Sequence, residues 1–378
     1  MRLGTWMPFR PVVEMLAFFT RVRVGRETVR RLTEGAGATE EAVETGELER
    51  LERERPVPPE GPAVQQMSAD GAMVPLVRGE WAEVRTLSIG EVERRGTGEV
   101  HAKEVSYFSR MVDAESFGRL ALLETHRRGT EHAAKVCAVM DGAEWLQTLV
   151  DLHRPDAVRI LDFPHAAEHL SRAAQAVWGE GDQRARGWLK AELHELKHGD
   201  PGRVIEAVRR LPAEQAVSPE GAADIRDGVV QYLEKRRKQI QYARFQAQGY
   251  PIGSGMAESA NKLVVEARLK GSGMRWARAN VDPMLALRSA ACSDRWDEAW
   301  ESVWCMRLRR LEERRHARCA NRHKALLPAI EAQERPKTPS PTPERPVQPR
   351  PVRTGRPSAN HPWRRPFLPY PLPLTAKT

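Results

Sequence analysis

The sequence predicts an α/β fold: a sheet-bearing core, then a large all-helical section, then a tail without a core of its own. Three observations predict it. "AVQQMSADGAMVPL" and "WAEVRTLSIGEVE" alternate apolar and polar residues, as half-buried antiparallel strands do. "KVCAVMDG" and "AVRILDF" are short continuous apolar runs, the pattern of strands covered on both faces. From residue 166 to about 250 the strand signals vanish and helical periodicity takes over.

The chain has 378 residues, room for two or three domains and a substantial core. Its net charge of +9 and pI near 9.6 suggest a polyanionic partner such as nucleic acid, beside the plainer reading of a basic soluble protein. No apolar run reaches the roughly 18 residues of a membrane span. Phe9, Arg10 and Pro11 interrupt the place where a signal peptide needs a continuous apolar stretch, so the expectation is a cytoplasmic protein. The four cysteines, Cys137, Cys292, Cys305 and Cys319, stand far apart without a CxxC pair, which argues against a disulfide framework or a zinc ribbon. Cys305, Cys319 and His323 lie in an Arg-rich helical pattern and read as helix surface, not as a metal site.

Element by element, residues 1–37 read as small helices. "FRPVVEMLAFFTRV" has an apolar stripe at helical spacing, and "VGRETVRRLTEGAG" begins near Gly25 and is expected to end at the Gly35–Gly37 pair. Two short helices with a tight turn resemble a helix-turn-helix, with Arg26, Arg30 and Arg31 facing DNA, or else an ordinary helical hairpin. Residues 38–62, rich in Glu and then Pro, predict an exposed helix and a linker. Residues 63–165 carry the order strand, strand, helix, strand, helix, strand, with Asp113 as the first helix's N-cap. Residues 166–250 predict helices only. Residues 251–255 ("PIGSG") break the pattern, and 251–334 are otherwise helical. Residues 335–378 hold 13 of the 28 prolines and many arginines, and are expected to be a disordered basic tail.

Three of the strand patterns deliver a carboxylate at their C-terminal end: Asp70 in "MSADGAM", Asp141 in "AVMDGAEW" and Asp162 in "RILDFPH". The C-terminal edge of an open α/β sheet is where sites form, and the glycines after Asp70 and Asp141 let a ligand approach. Crowded carboxylates have to be neutralised, by protons or by metal. A hard cation such as Mg²⁺ takes one or two carboxylates plus substrate phosphate and water. Two such ions would activate a hydroxyl and stabilise a leaving oxygen at a phosphodiester. "PIGSGMAESANK" offers Glu258 as a third ligand, on a helix expected to bury Met256, Ala260, Leu263, Val264 and Ala267. The bland alternatives are Asp-Gly turns for the aspartates and, for Glu258, a solvated ladder with Lys262, Glu266 and Lys270 at four-residue spacing. His165 and His169, and His194 and His198, stand at i, i+4, a spacing that can bind metal on a helix; the second pair reads as a solvated face.

On these residues the chain resembles a bacterial insertion-sequence DDE transposase of the ISKra family, within the Mutator-like group. The matching stretches are "ADGAMVPLVRGEWAEVRTLSIGE", "MDGAEWLQTLV", "RILDFPHAAEHL", "YPIGSGMAESANKLVVEARLKGSGMRW" and "ALRS", with "LGTWMPFRPVVEML", "VRVGRETVRRLTEGAG" and "HPWRR" beside them. The resemblance implies a ribonuclease-H-like mixed sheet core with an all-helical insertion between Asp141 and Glu258, which stand 117 residues apart. It implies a catalytic and metal-binding triad of Asp70, Asp141 (after the fourth strand) and Glu258, holding two Mg²⁺ or Mn²⁺ ions. Asp162 and His165 match an Asp-x-x-His element on the fifth strand, with Asp162 the alternative second ligand and His165 a phosphate or orienting contact. Such proteins commonly carry a Cys-rich zinc ribbon ahead of the "LGTW" region; no cysteine precedes Cys137 here, so the expectation is a copy without its ribbon.

The expected activity is metal-dependent cleavage and strand transfer at insertion-sequence ends. The alternatives are a decayed copy that only binds DNA, or a host nuclease with the same core. The implied partners are element-end and target DNA and further copies of the chain, in the bacterial cytoplasm at the nucleoid, with no membrane. The expected DNA surface is Arg26, Arg30, Arg31, Lys235, Arg236, Arg237, Lys262, Arg268, Lys270 and Arg275, with Trp276 stacking on an unpaired base.

Overall fold

The computed structural model describes residues 1–94 and 100–334, with side chains to residue 322. Two compact units divide the chain, Met1–Arg315 and His316–Thr378. The tail expected at 335–378 lies outside the described residues, as does the His323 side chain.

The first unit opens with α1 (Arg2–Trp6), α2 (Phe9–Thr20) and α3 (Arg26–Glu54). The expectation that the third segment ends at Gly35–Gly37 is corrected: α3 runs 29 residues, straight through both glycines. The reason is packing. A Cβ on Gly37 would stand 2.1 Å from the Pro283 carbonyl oxygen, so Gly37 lets α3 lie hard against a later helix instead of ending it. Residues 38–54 are likewise no exposed spacer, since Thr39, Glu40, Glu44, Leu48 and Leu51 are buried.

Strands β1 (Gln65–Pro75), β2 (Trp81–Arg94) and β3 (Val100–Arg110) follow as an antiparallel meander. The third strand is one the residue pattern did not predict; its "VHAKEVSYFSR" carries charge on an edge and lacks clean alternation. Then come α4 (Ala114–Leu120), capped by Asp113 as expected, α5 (Leu122–Arg127), β4 (Val136–Met140), α6 (Glu144–His153) and β5 (Val158–Leu161). The five strands lie in the order β3-β2-β1-β4-β5, with β4 parallel to β1 and β5 parallel to β4.

The period of two sorts side chains to the faces. Val136, Ala138 and Met140 join Met67, Ala69, Leu87 and Phe108 in a core roofed by α3, α4 and α6. Cys137, Val139 and Ile160 face a separate core built from the helices that follow. These are α7 (Phe163–Trp178), α8 (Gln183–His198), α9 (Pro201–Arg209), α10 (Pro219–Lys235) and α11 (Tyr242–Gln248), with no strand between residues 166 and 250, as the sequence predicts. Truncating a core residue such as Leu146 or Leu170 to Ala would cost about 2–5 kcal/mol.

The chain returns to the sheet through α12 (Gly255–Ala260), a π-helical stretch (Asn261–Glu266) and α13 (Ala267–Leu269). Widening to π pairing frees carbonyls, and here the buried Arg288 takes them: its Nε donates to Val264 O at 3.1 Å and its Nη2 to Leu263 O. Ala257, Ala260, Asn261, Val264, Val265, Arg268 and Leu269 form the buried stripe; Leu263 and Ala267, expected inside, are exposed. Val264 and Val265 pack on Ala72, Val74 and Val84 of the sheet and on α14 (Val281–Cys292), which precedes α15 (Trp296–Glu334).

Candidate functional site

Asp70 does not end its strand. β1 continues to Pro75, whereas the pairing of β1 with β4 covers only Gln65–Met67. Past Met67 β1 has no β4 partner until the Trp276 backbone bridges to it at Leu76, and Asp70 stands beside the point where β4 ends and Asp141 follows. A Cβ at Gly71 would meet the Glu83 carboxylate at 2.4 Å, so a larger residue there would displace that side chain. Asp70 Oδ1 accepts from the Gly71 amide at 2.7 Å, and Oδ2 accepts from Asn261 Nδ2 at 3.0 Å. Burial pushes the Asp70 carboxyl above the usual carboxylate range. The Gly71 amide opposes the shift, the negative charge of Asp141 adds to it, and Asn261 opposes it. The structure thus brings Asp70 and Asp141 together as a pair of acids whose charges repel.

The turn that carries Asp141 is clasped by α10. Tyr232 Oη donates to the Asp141 carbonyl at 2.7 Å, and Arg236 Nη2 donates to the Gly142 carbonyl at 2.6 Å. Gly142 has φ 86°, and a Cβ would meet Arg236 Nε at 2.5 Å, so glycine is required twice over. Asp141 Oδ1 accepts from the Ala143 amide at 2.9 Å as α6 begins.

Asp162 follows β5 and is the N-cap of α7, so the Asp-x-x-His element starts a helix; the placement of His165 on the fifth strand is corrected. A β5 of four residues is simply too short to hold it. Asp162 Oδ2 accepts from the His165 amide at 3.3 Å and Oδ1 from the Ser254 amide at 2.6 Å. Both oxygens are therefore committed to backbone, and one of them ties the end of β5 to the loop that leads into α12. The His165 ring is 3.7 Å from Glu168 and edge-on to His169. His169 stacks on Tyr232 at 3.9 Å, and burial holds its imidazole down to about 4.

Glu258 is not drawn to the two aspartates. It is exposed and pairs with Lys262 at 2.5 Å, which holds its carboxyl below the usual range. Glu266 pairs with Lys270 at 2.7 Å, completing the solvated ladder. The residue that reaches Asp70 from this segment is Asn261, one turn on. Among the described residues, no three His, Cys, Asp or Glu side chains form a group that could hold a metal ion.

The expected DNA surface divides. Arg26, Arg31, Arg237 and Arg275 are exposed. Arg30 is engaged by Glu27 and Glu34, and Lys235 by Glu144. Arg236 and Arg268 are buried with guanidinium groups on backbone carbonyls, and Trp276 is buried with its Nε1 donating to Leu269 O at 3.2 Å, so none of the three lies on the open surface. Asn261 and Tyr232 were missed, because an amide and a phenol within helical patterns give no signal until the tertiary contacts are known.

No family model matches the chain, and no curated protein matches it. Among the described residues, no helix is long and apolar enough to cross a membrane.

Proposed function

We propose that the protein is a DNA transposase of the DDE type, cutting and joining phosphodiester bonds with divalent cations held at Asp70 and Asp141. The observation that carries the reading is the repelling pair itself: Asp70 within β1 and Asp141 just past the end of the parallel β4, the first with its carboxyl pushed up by burial and by the other's charge. Such a pair destabilises a fold, and proteins keep it where a ligand relieves it. The sheet order, an antiparallel meander with two parallel strands added beside β1, supports a ribonuclease-H-like core, and the helices α7–α11 support the expected insertion between Asp141 and Glu258.

The residues suit a hard cation. Asp70 and Asp141 supply carboxylate oxygens, and the buried Asn261 Oδ1 beside Asp70 has no partner. A bound Mg²⁺ would supply charge neutralisation at the phosphate and acidify a nucleophilic water or 3′-hydroxyl. The chain's own part is positioning. Asn261 holds the Asp70 carboxylate, α10 holds the Asp141 turn, and Asp162 holds the approach of α12. Glu258 would be the third ligand, on exchanging Lys262 for the site. The present Glu258–Lys262 pair favours a second reading, a DNA-binding copy without catalysis.

The test incubates the purified full chain with a supercoiled plasmid carrying the DNA that flanks its own coding region, with Mg²⁺, with Mn²⁺ or with EDTA. Metal-dependent nicking at the element ends, absent from Asp70→Asn and Asp141→Asn, is expected. DNA binding with no nicking in any metal would support the second reading. Cutting without end preference or joining would point to a host nuclease.

A further inference from the structure

A cavity of about 470 Å³ lies between the N-terminal helices and the loop after α13, walled by residues far apart in the chain, such as Arg26 and Met274, 248 positions apart. Five arginines line it, Arg10, Arg26, Arg30, Arg268 and Arg275, against two carboxylates, Glu27 and Glu34. Arg30 engages both carboxylates, at 2.6 and 3.4 Å. Arg26 and Arg275 form no ion pair among the described residues and are exposed at the rim. Arg268 is different. It is 1% exposed, its Nε donates to Gly4 O at 3.0 Å, and its guanidinium lies 4.8 Å from the Phe9 ring centre and 4.9 Å from that of Trp276. Its Nη2 is buried and has no hydrogen-bond partner. An unpaired guanidinium nitrogen inside a fold is costly, unless a ligand acceptor completes it. Phe9, Val77, Met274 and Trp276 give the wall an apolar stretch.

We propose that this cavity takes one unpaired nucleotide of a DNA strand, its base lying against the apolar wall with a ring acceptor on Arg268 Nη2 and its flanking phosphates on Arg26 and Arg275. The chemistry excludes a free phosphate as the full ligand, since an inorganic anion uses the arginines but leaves the apolar wall wet. A base uses both, because stacking and a carbonyl acceptor sit on one ring. The assignment rests on the DNA reading above but not on catalysis.

Fluorescence anisotropy in EDTA separates the two. The full chain is titrated with a blunt duplex, the same duplex ending in a three-thymidine overhang, and the same overhang made abasic. The thymidine overhang is expected to bind about tenfold more tightly than either of the others. Ala277→Trp, which fills the cavity from an exposed position, should abolish that preference while keeping the melting temperature and the affinity for blunt duplex. Equal binding of thymidine and abasic overhangs, or a preference that survives Ala277→Trp, would overturn the cavity assignment. Loss of that assignment with metal-dependent nicking intact leaves the transposase reading standing. A preference without nicking removes catalysis alone, and no DNA binding at all removes both.

Discussion

Asn261 Nδ2 donates to Asp70 Oδ2 at 3.0 Å, joining the first strand to the π-helical stretch 191 residues later. With the Gly71 amide on Oδ1, this bond orients the carboxylate, and both bonds lower its proton affinity against the effect of burial. Removing it in Asn261→Leu should push the Asp70 carboxyl still higher. The acid limb of the nicking rate then moves to higher pH, and the rate falls about 10–100-fold, the usual cost of losing a hydrogen bond behind a ligand. Asn261→Asp is expected to be worse, because it adds a third negative charge to the pair. Pre-steady-state nicking across a pH series reads both effects; an unchanged acid limb would mean that the bond does not govern Asp70.

Asp162 and Asp141 make opposite predictions although both follow buried strands. Asp162 spends its oxygens on the amides of His165 and Ser254, so Asp162→Asn, which keeps an acceptor, should leave nicking within a few-fold of wild type. Asp162→Ala loses the cap of α7 and the tie to the α12 loop, at about 1–2 kcal/mol. Urea unfolding measures that loss. If Asp162→Asn instead abolished nicking while Asp141→Asn did not, the ligand roles would be exchanged.

Glu40 gives the fold a pH dependence away from the site. It is buried on α3 near Arg127, Arg110 and Arg295, yet burial outweighs them and raises its carboxyl from 4.5 to about 7. A raised acid is tolerated protonated and penalised charged. Its stabilising balance is thus complete below about 4.5 and is lost as pH rises through about 7. Glu40→Gln should therefore be more stable than wild type near pH 8, by roughly 2–3 kcal/mol, and indistinguishable from it near pH 4.5. Denaturant melts at the two pH values test this, and a stability gap that fails to close in acid would count against it.

Much of this architecture was legible because periodicity reports burial. The apolar runs of β4 and β5, the alternation of β1 and β2, and the helices from α7 to α11 follow directly from it. β3 escaped because an edge strand buries little and can carry Lys103 and Glu104. The Gly35–Gly37 pair misled because glycine marks both helix ends and close helix contacts, and only the Pro283 carbonyl decides between them. At the site, the acids were legible as residue types after strands. Their supports were not, since Asn261, Tyr232 and Arg236 act through contacts more than 90 residues away. A buried arginine reads in sequence like any other basic residue, which is why Arg236 and Arg268 looked like phosphate contacts.

The clasp on the Asp141 turn yields the last prediction. Tyr232 reaches the Asp141 carbonyl, is stacked on His169 and has the Arg236 guanidinium 3.9 Å from its ring centre. Tyr232→Phe keeps the ring and its stacking but drops the one hydroxyl that fixes the turn. Stability should fall by only about 1 kcal/mol, the net worth of a hydrogen bond. The nicking rate should fall about tenfold or more, since a small displacement of a positioned group is amplified in rate. DNA affinity in EDTA should not change, because Tyr232 contacts the turn and not the DNA. Gly142→Ala attacks the same turn through the backbone, with a positive φ and a Cβ that collides with Arg236, and should cost about 1–3 kcal/mol of stability as well. A Tyr232→Phe protein that nicks at the wild-type rate would show that α10 packs beside the Asp141 turn without positioning it.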